Sequence, residues 1–191
     1  MGSEMCIRDR CTSFLDALFT ATSAVCVTGL VVNDTATYWS LFGQGVILLL
    51  IQIGGMGIIT IAIAIAVVSG RKIGLMQRST MQEAISAPTV GGIVRRTQFI
   101  IRTTILIEII GAVLLAPVFC RDFGFWKGIW YSLFHSISAF CNAGFDLIGI
   151  RTPFSSLTSY SVQPIVNLVI MMLIIACLLY TSPSPRDPKT S

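Results

Sequence analysis

The sequence predicts an all-α membrane protein built from repeated units, and three observations predict it. Only 22 of the 191 residues are Asp, Glu, Lys or Arg, which is 12% against the roughly 25% usual in soluble domains. Hydrophobic residues make up 54% of the chain and the mean hydropathy is +0.81. A soluble domain of this length cannot bury that much apolar surface, and a disordered chain does not have it. The third observation is a motif that occurs twice.

The two ends of the chain differ in composition from everything between them. Residues 1–10 and 181–191 resemble translated read-through of sequencing adapters, and the second segment holds three prolines, which neither continue a helix nor enter lipid. We expect both to be non-native extensions and set them aside. Source DNA in which native sequence runs through the junctions would refute this expectation.

The first predicted unit occupies residues 11–69. A helix at residues 12–25 has about 14 residues, too few to cross a bilayer, which suits a re-entrant or buried segment. The first span follows at residues 45–69, inside a run of 36 residues without Asp, Glu, His, Lys or Arg. Its length as a helix is about 37 Å, enough for a hydrocarbon core of about 30 Å.

A basic connection at residues 70–98 separates the two units. Six of the nine Lys and Arg residues between positions 11 and 180 lie between the first and second spans. By the positive-inside rule the connection is cytoplasmic, and the loops after Gly29 and Gly144 open to the outside.

The second predicted unit occupies residues 99–180. It contains a span at 103–119, a short helix at 126–140 and a span at 165–180. The last span would reach only about 24 Å, somewhat less than a bilayer needs. It stops where the proline-rich end begins.

The two short helices carry the same motif. LFTATSAVCVTG at residues 18–29 and LFHSISAFCNAG at 133–144 share six identities in twelve positions without a gap. We interpret this as an internal repeat of span, short helix, glycine loop and span. The first copy lacks its opening span, so we expect native chain upstream of residue 11.

A glycine-containing loop within the membrane is possible only in a few settings. Non-helical backbone is tolerated there only where protein buries it or where it lines a water-filled path. Carbonyl groups turned towards an axis can replace the hydration shell of a cation such as potassium, and glycine tolerates the positive φ of such a turn. A single glycine after a helix is commonly a C-cap, but its recurrence at the same place favours a pore loop.

Four stretches carry a resemblance to a known family: FLDALFTATSAVCVTGL, LLIQIGGMGIIT, GRKIGL followed by MQEA, and FHSISAFCNAGFDL. Over residues 11–177 the chain resembles the Trk/Ktr/HKT superfamily of potassium transporters, and within it the membrane subunit of bacterial Ktr-type systems. The resemblance implies four repeats around one pore in the bacterial inner membrane, with one filter glycine per repeat. It implies a filter backbone formed here by Cys26, Val27, Thr28, Gly29, Cys141, Asn142, Ala143 and Gly144.

The resemblance also implies partners. Potassium is the transported ion, with sodium as a second candidate, and no cofactor is expected to bind this chain. The complete membrane subunit is expected to form a homodimer and to bind cytoplasmic nucleotide-binding regulatory subunits, with residues 70–98 contributing to that contact. The third and fourth repeats, with the family's gating segment, are not in this sequence.

Three acidic residues are candidates for an influence on the ion path. Glu108 lies in the middle of a span, where an ionisable group is costly, and either hydrogen-bonds a neighbouring loop or acts on the ion path. Asp34 and Asp146 follow the two glycines by five and two residues. They either concentrate cations at the pore mouth or are solvated loop carboxylates, which are commoner.

Other features favour structural roles. GGMG at residues 54–57 lies inside a span and lacks the lysine of a phosphate-binding loop, so close helix packing explains it better. The six cysteines show no CxxC spacing, and one histidine does not complete a zinc site. The net charge of +4 reflects orientation and gives no reason to expect nucleic acid.

Two other function classes are less consistent with the sequence. A secondary transporter with re-entrant hairpins, for another cation or small solute, would often have inverted repeats, whereas both copies here open to the same side. An intramembrane hydrolase could use His135, Ser136 and Ser138. However, no GxSxG motif is present and neighbours on one helix do not face each other. The prediction is potassium transport without enzymatic chemistry.

Overall fold

The computed structural model describes residues 13–57, 93–150 and 153–181. These residues form helices and loops, with no strand among them, which confirms the all-α part of the prediction. The helices in chain order are α1 (Phe14–Val25), α2 (Thr35–Tyr38), α3 (Leu41–Met56), α4 (Ile93–Phe123), α5 (Phe125–Phe140) and α6 (Pro164–Thr181). Two 3₁₀ turns, Ile148–Ile150 and Ser156–Tyr160, lie between α5 and α6.

Several predicted segments lie outside the described residues. These are the amino-terminal extension at 1–10, most of the basic connection at 70–98, the second half of the first span at 58–69, and nearly all of the carboxy-terminal extension at 181–191.

Helix α4 is longer than the predicted span at 103–119. It continues past Arg102 at one end and Arg121 at the other, and it contains Pro117. A charged side chain at a helix end can reach the polar interface while the backbone hydrogen bonds continue, so the charges did not mark the helix ends. Within the described residues, Gln98–Phe123 is the one segment long and apolar enough to cross a membrane, and only 28% of its most apolar window is buried.

Helices α1, α5 and α6 begin and end within two residues of the predicted positions, whereas α2 was not predicted. The helix predicted over residues 45–69 is interrupted, because α3 ends at Met56 and Gly57 caps it with a φ of +79°. Helix α3 begins four residues earlier than predicted, after Ser40, whose Oγ accepts a hydrogen bond from the Gly43 N–H at 3.3 Å. Helix α5 begins one residue earlier than predicted, and α6 starts at Pro164, since proline suits the first helical position.

The helices pack around a core formed by α4, α5 and α6. Phe119, Phe134, Leu115 and Leu173 are almost completely buried there. Helix α3 packs against both α1 and α5, and so joins the two parts of the chain. The outer faces of the helices expose large apolar side chains, as helices in lipid do, including Leu49, Ile109, Val113, Leu168 and Met172.

Candidate functional site: two glycine loops

Two loops directly follow α1 and α5, at residues 26–29 and 141–144. We call them the first and second glycine loops. Each begins with a cysteine in the right-handed region, with φ and ψ of −78° and −4° at Cys26 and of −76° and −2° at Cys141. The next residue has a φ of +56° in both loops, and the glycine that ends each loop has a φ of +72°. The internal repeat seen in the sequence therefore extends to the backbone conformation.

The first glycine loop closes the carboxyl end of its own helix. The Thr28 N–H donates to the Ser23 carbonyl at 3.0 Å, and the Val27 N–H donates to the Ala24 carbonyl at 3.3 Å. The second loop repeats both bonds at 2.8 and 3.1 Å. These pairs define a Schellman ending. The residue in the C-cap glycine position is therefore Val27 or Asn142, and the two glycines lie further along and do not cap the helices.

Val27 is an unusual residue for that position. A left-handed conformation is rare for a β-branched side chain, whereas asparagine, which occupies the matching position as Asn142, tolerates it. Strain of this kind persists only where the surrounding structure enforces it. The first loop is thus held in its conformation against the preference of its own side chain.

A serine at matching positions ties each helix to the chain beyond the glycine. Ser23 Oγ accepts from the Leu30 N–H at 3.0 Å and lies 2.8 Å from the Thr28 hydroxyl. Ser138 Oγ donates to the Phe145 carbonyl at 2.6 Å. Ser23 had no predicted role and Ser138 was considered only for a hydrolase, although their identity at matching positions of the two copies was a usable signal.

The two loops meet at their glycines. A Cβ built on Gly29 would lie 2.6 Å from the Ala143 oxygen and 3.4 Å from the Gly144 Cα, and one on Gly144 would lie 3.5 Å from the Gly29 Cα. A side chain at Gly29 would therefore displace the second loop. The structure brings together two segments that are 115 residues apart in the sequence.

Glu108 is buried on α4 and is hydrogen-bonded. Its two carboxylate oxygens lie 2.9 and 3.0 Å from Gln52 Nε2 on α3. The Gln52 Oε1 atom in turn lies 3.9 Å from the Cys141 thiol, a long and weak contact. The sequence left two interpretations of Glu108 open, and the hydrogen-bonding one is present in the structure. The partner is Gln52 of α3 and not a loop residue, and Gln52 in turn contacts Cys141 of the second loop.

Asp34 is not a solvated loop carboxylate. It is 9% exposed, and Oδ1 accepts from the backbone N–H groups of Ala36 and Thr37, both at 3.0 Å, which caps α2. Oδ2 accepts from the Phe154 N–H at 2.9 Å. One side chain thus joins the segment after the first glycine loop to the segment after the second.

Asp146 is half-buried in the segment that follows the second glycine loop. It accepts from the Ile148 N–H at 3.0 Å and from the Ser156 hydroxyl. Removal from water raises the pKa of the Asp146 carboxyl, and the nearby charge of Asp34 raises it further. The Asp34 charge therefore acts on the Asp146 carboxyl, which lies in the segment after the second glycine loop.

A family model for TrkH, described as a cation transport protein, matches residues 3–178. The chain belongs to the TrkH family. This confirms the resemblance drawn from the four sequence stretches. The match begins inside the amino-terminal segment that the sequence analysis set aside.

Individual proteins that are similar to this TrkH-family chain support the family assignment. It is 44% identical over 165 residues to the potassium/sodium uptake protein NtpJ of Enterococcus hirae, covering 86% of this chain and 36% of that protein. It is 47% identical over 163 residues to the Ktr system potassium uptake protein B of Bacillus subtilis, covering 85% and 36%. The corresponding protein of Vibrio alginolyticus is 37% identical over 163 residues, covering 85% and 35%. The chain spans about a third of the length of these relatives.

In this TrkH-family chain, the side chains considered for a hydrolase are hydrogen-bonded to backbone groups. His135 Nδ1 donates to the Tyr131 carbonyl at 2.7 Å, because Nε2 accepts from the Leu147 N–H at 3.3 Å. Ser136 Oγ donates to the Glu108 carbonyl at 2.6 Å. The histidine is buried, with the Phe119 ring centroid 5.1 Å away. These groups position the backbone around α5, and a TrkH protein is a membrane ion transporter rather than an enzyme.

Proposed function

We propose that the chain is part of a bacterial potassium uptake protein and that the two glycine loops form half of its ion-selective filter. The observation that carries the proposal is that two loops of the same backbone conformation meet at Gly29 and Gly144. Loops of repeated shape around a shared axis are the arrangement in which carbonyl groups can surround an ion.

The orientation of the helices also favours a cation. Helices α1 and α5 both end at a loop, and the carboxyl end of a helix carries a partial negative charge of about half an electron. The N–H groups of residues 27, 28, 142 and 143 bond back to their own helices. They are therefore not offered to an ion, and the polar groups left to the loops are mainly carbonyls.

The filter assignment follows from this arrangement. The ion would be coordinated by backbone carbonyls of two groups of residues, Cys26, Val27, Thr28 and Gly29 and then Cys141, Asn142, Ala143 and Gly144. No covalent step and no bound cofactor is involved. The relatives are named for uptake of potassium, or of potassium and sodium, so we take potassium as the main ion and sodium as the competitor.

The setting proposed for the chain is a multi-pass protein of the inner membrane. Residues 70–98 are cytoplasmic and the glycine loops open outwards, since the basic side chains gather on one side of the spans. The complete protein closes the pore with two further repeats. It forms a homodimer, and its cytoplasmic face binds nucleotide-binding regulatory subunits.

A secondary transporter for another cation or small solute is the second candidate. Its repeats are often inverted, whereas the two segments here are direct repeats whose loops have the same φ values at matching positions. This similarity favours a channel-like pore.

The experiment uses the complete protein that contains this chain, expressed in bacteria that lack potassium uptake systems. Gly29→Ser and Gly144→Ser each place a side chain where the two loops meet, and the ratio of potassium to sodium uptake should fall by about tenfold or more. Gly124→Ser is the matched control, because Gly124 also has a positive φ, of +82°, with nothing within 4 Å of an added Cβ. Unchanged selectivity in both loop variants would refute the filter assignment.

A further inference from the structure

Two consecutive glycines of α3 lie against the last residue of α1 and the first residue of the second glycine loop. A Cβ on Gly54 would overlap the Val25 carbonyl group, with its carbon 2.8 Å away and the Val25 Cα 3.1 Å away. A Cβ on Gly55 would overlap the Cys141 side chain, with its Cβ 2.6 Å and its Cα 3.3 Å away. Contacts this short leave no room for any side chain but hydrogen.

The contacted residues stand at the point where each loop begins. Val25 is the last residue of α1, and Cys141 is the residue that caps α5. Neighbouring positions on a helix point about 100° apart, so two adjacent glycines can contact two different neighbours. Helix α3 thus supports the first loop through one residue and the second loop through the next.

Helix α3 is itself fixed just before this point. Gln52 donates to Glu108 on α4 and lies against the Cys141 thiol. The amide ties α3 to α4, and the weak contact of its oxygen with the Cys141 thiol, at 3.9 Å, lies between α3 and the second glycine loop. A displacement of α3 would therefore reach the loops directly.

We propose that Gly54 and Gly55 are positioning residues for ion selectivity, and that Gly54 sets the position of the first glycine loop while Gly55 sets that of the second. The proposal rests on the proposed function, because it assigns to α3 the spacing of the carbonyls in that same filter. Neither glycine contacts the ion.

The first test places alanine at each position in the complete protein. Gly54→Ala and Gly55→Ala should each lower the ratio of potassium to sodium uptake by about tenfold, since displaced carbonyls no longer match the potassium hydration shell. The apparent KM for potassium should rise, with the maximal rate per membrane-inserted protein falling less. Gly45→Ala is the matched control on the same helix, because an added Cβ there has only Trp130 near it, at 4.0 Å.

A compensating change separates positioning from general damage. Cys141→Gly removes the side chain that Gly55→Ala would strike, so in that background the alanine should cost no more than about twofold in selectivity. The same background should not rescue Gly54→Ala, whose contact is with Val25. Equal rescue of both, or of neither, would overturn the assignment of one glycine to one loop.

A third pair of variants decides the question if the alanine variants do not reach the membrane. Cys141→Ala removes the Sγ atom that lies against Gly55 but keeps Cβ, so it loosens the contact in part and should lower selectivity by about threefold. Cys120→Ala removes a thiol on α4, remote from the loops, and should not lower selectivity. Equal selectivity of the two variants overturns the proposal.

If the wild type fails to take up potassium, or the Gly29 and Gly144 variants keep their selectivity, the proposed function fails. If those hold and the α3 variants behave like Gly45→Ala, this inference alone fails.

Discussion

Replacing Asp34 should destabilise the protein through the loss of two separate hydrogen-bonding contributions. The carboxylate caps α2 with Oδ1 and holds the Phe154 N–H with Oδ2. Loss of an N-cap costs about 1 kcal/mol. The bond to the Phe154 N–H is only part-buried, so its loss costs about 1 kcal/mol, the low end of the range for an N–H left without an acceptor. Asp34→Ala loses both and should cost about 2 kcal/mol of the free energy of unfolding.

Asp34→Asn separates the two contributions. Its amide oxygen can still cap α2, since asparagine is a good N-cap, but its NH₂ group would then face the Phe154 N–H, donor against donor. The expected cost is about 1–2 kcal/mol. Asp16→Asn is the control, because Asp16 lies in the first turn of α1 and the loss of a negative charge there costs about 0.3–1 kcal/mol. Thermal unfolding of the purified complete protein in detergent should rank the variants in that order.

Transport measurements distinguish this structural role from that of a charge at the pore mouth. If Asp34 ties the two segments together, Asp34→Asn should lower thermal stability, and its KM for potassium should respond to ionic strength as the wild-type KM does. A charge that concentrates cations acts over a Debye length of about 10 Å at 0.1 M salt. The structural role would be refuted if Asp34→Asn kept the stability of the wild type and its KM for potassium were raised at low salt but equal to the wild-type KM at high salt.

Two further predictions concern the loops. Val27→Asn should raise the free energy of unfolding by about 1 kcal/mol, because asparagine accepts the left-handed conformation that valine resists; a lower melting temperature would contradict the strain assigned to Val27. Asp146→Asn should change how stability depends on pH. A carboxyl whose pKa is raised in the folded state contributes stability below its unfolded pKa and loses it as the pH rises through the folded pKa. Relative to the wild type, Asp146→Asn should therefore gain stability as the pH rises above the ordinary carboxyl pKa of about 4 in thermal unfolding scans, and a parallel pair of curves would argue against it.

The helices of this chain were largely predictable because lipid imposes simple limits on sequence. Helices α5 and α6 lie within one residue of the predicted segments at each end, since Gly124 and Pro164 stand at their amino-terminal ends. Helix α4 was underestimated, because hydrogen bonding continues past a charged residue such as Arg102. The length of an apolar segment matches the thickness of the bilayer, whereas the helix that contains it can continue beyond the bilayer at both ends.

The contacts around the loops were less predictable. The bond between Asp34 and Phe154 joins positions 120 residues apart, and nothing in a single sequence connects them. Gln52 and Glu108 were noticeable as polar residues in two apolar spans, and the cost of leaving either unpaired could have suggested the pair. The positive φ of Val27 was not predictable, because it opposes the preference of that residue.

The Schellman endings also bear on how such a chain could arise and diversify. The hydrogen bonds that shape each glycine loop join residues within a single segment of about eight residues, on either side of one helix end. A unit that satisfies its own backbone can be copied by gene duplication and keep its form in each new position. The same backbone accepts different side chains, since Val27 and Thr28 of the first loop correspond to Asn142 and Ala143 of the second.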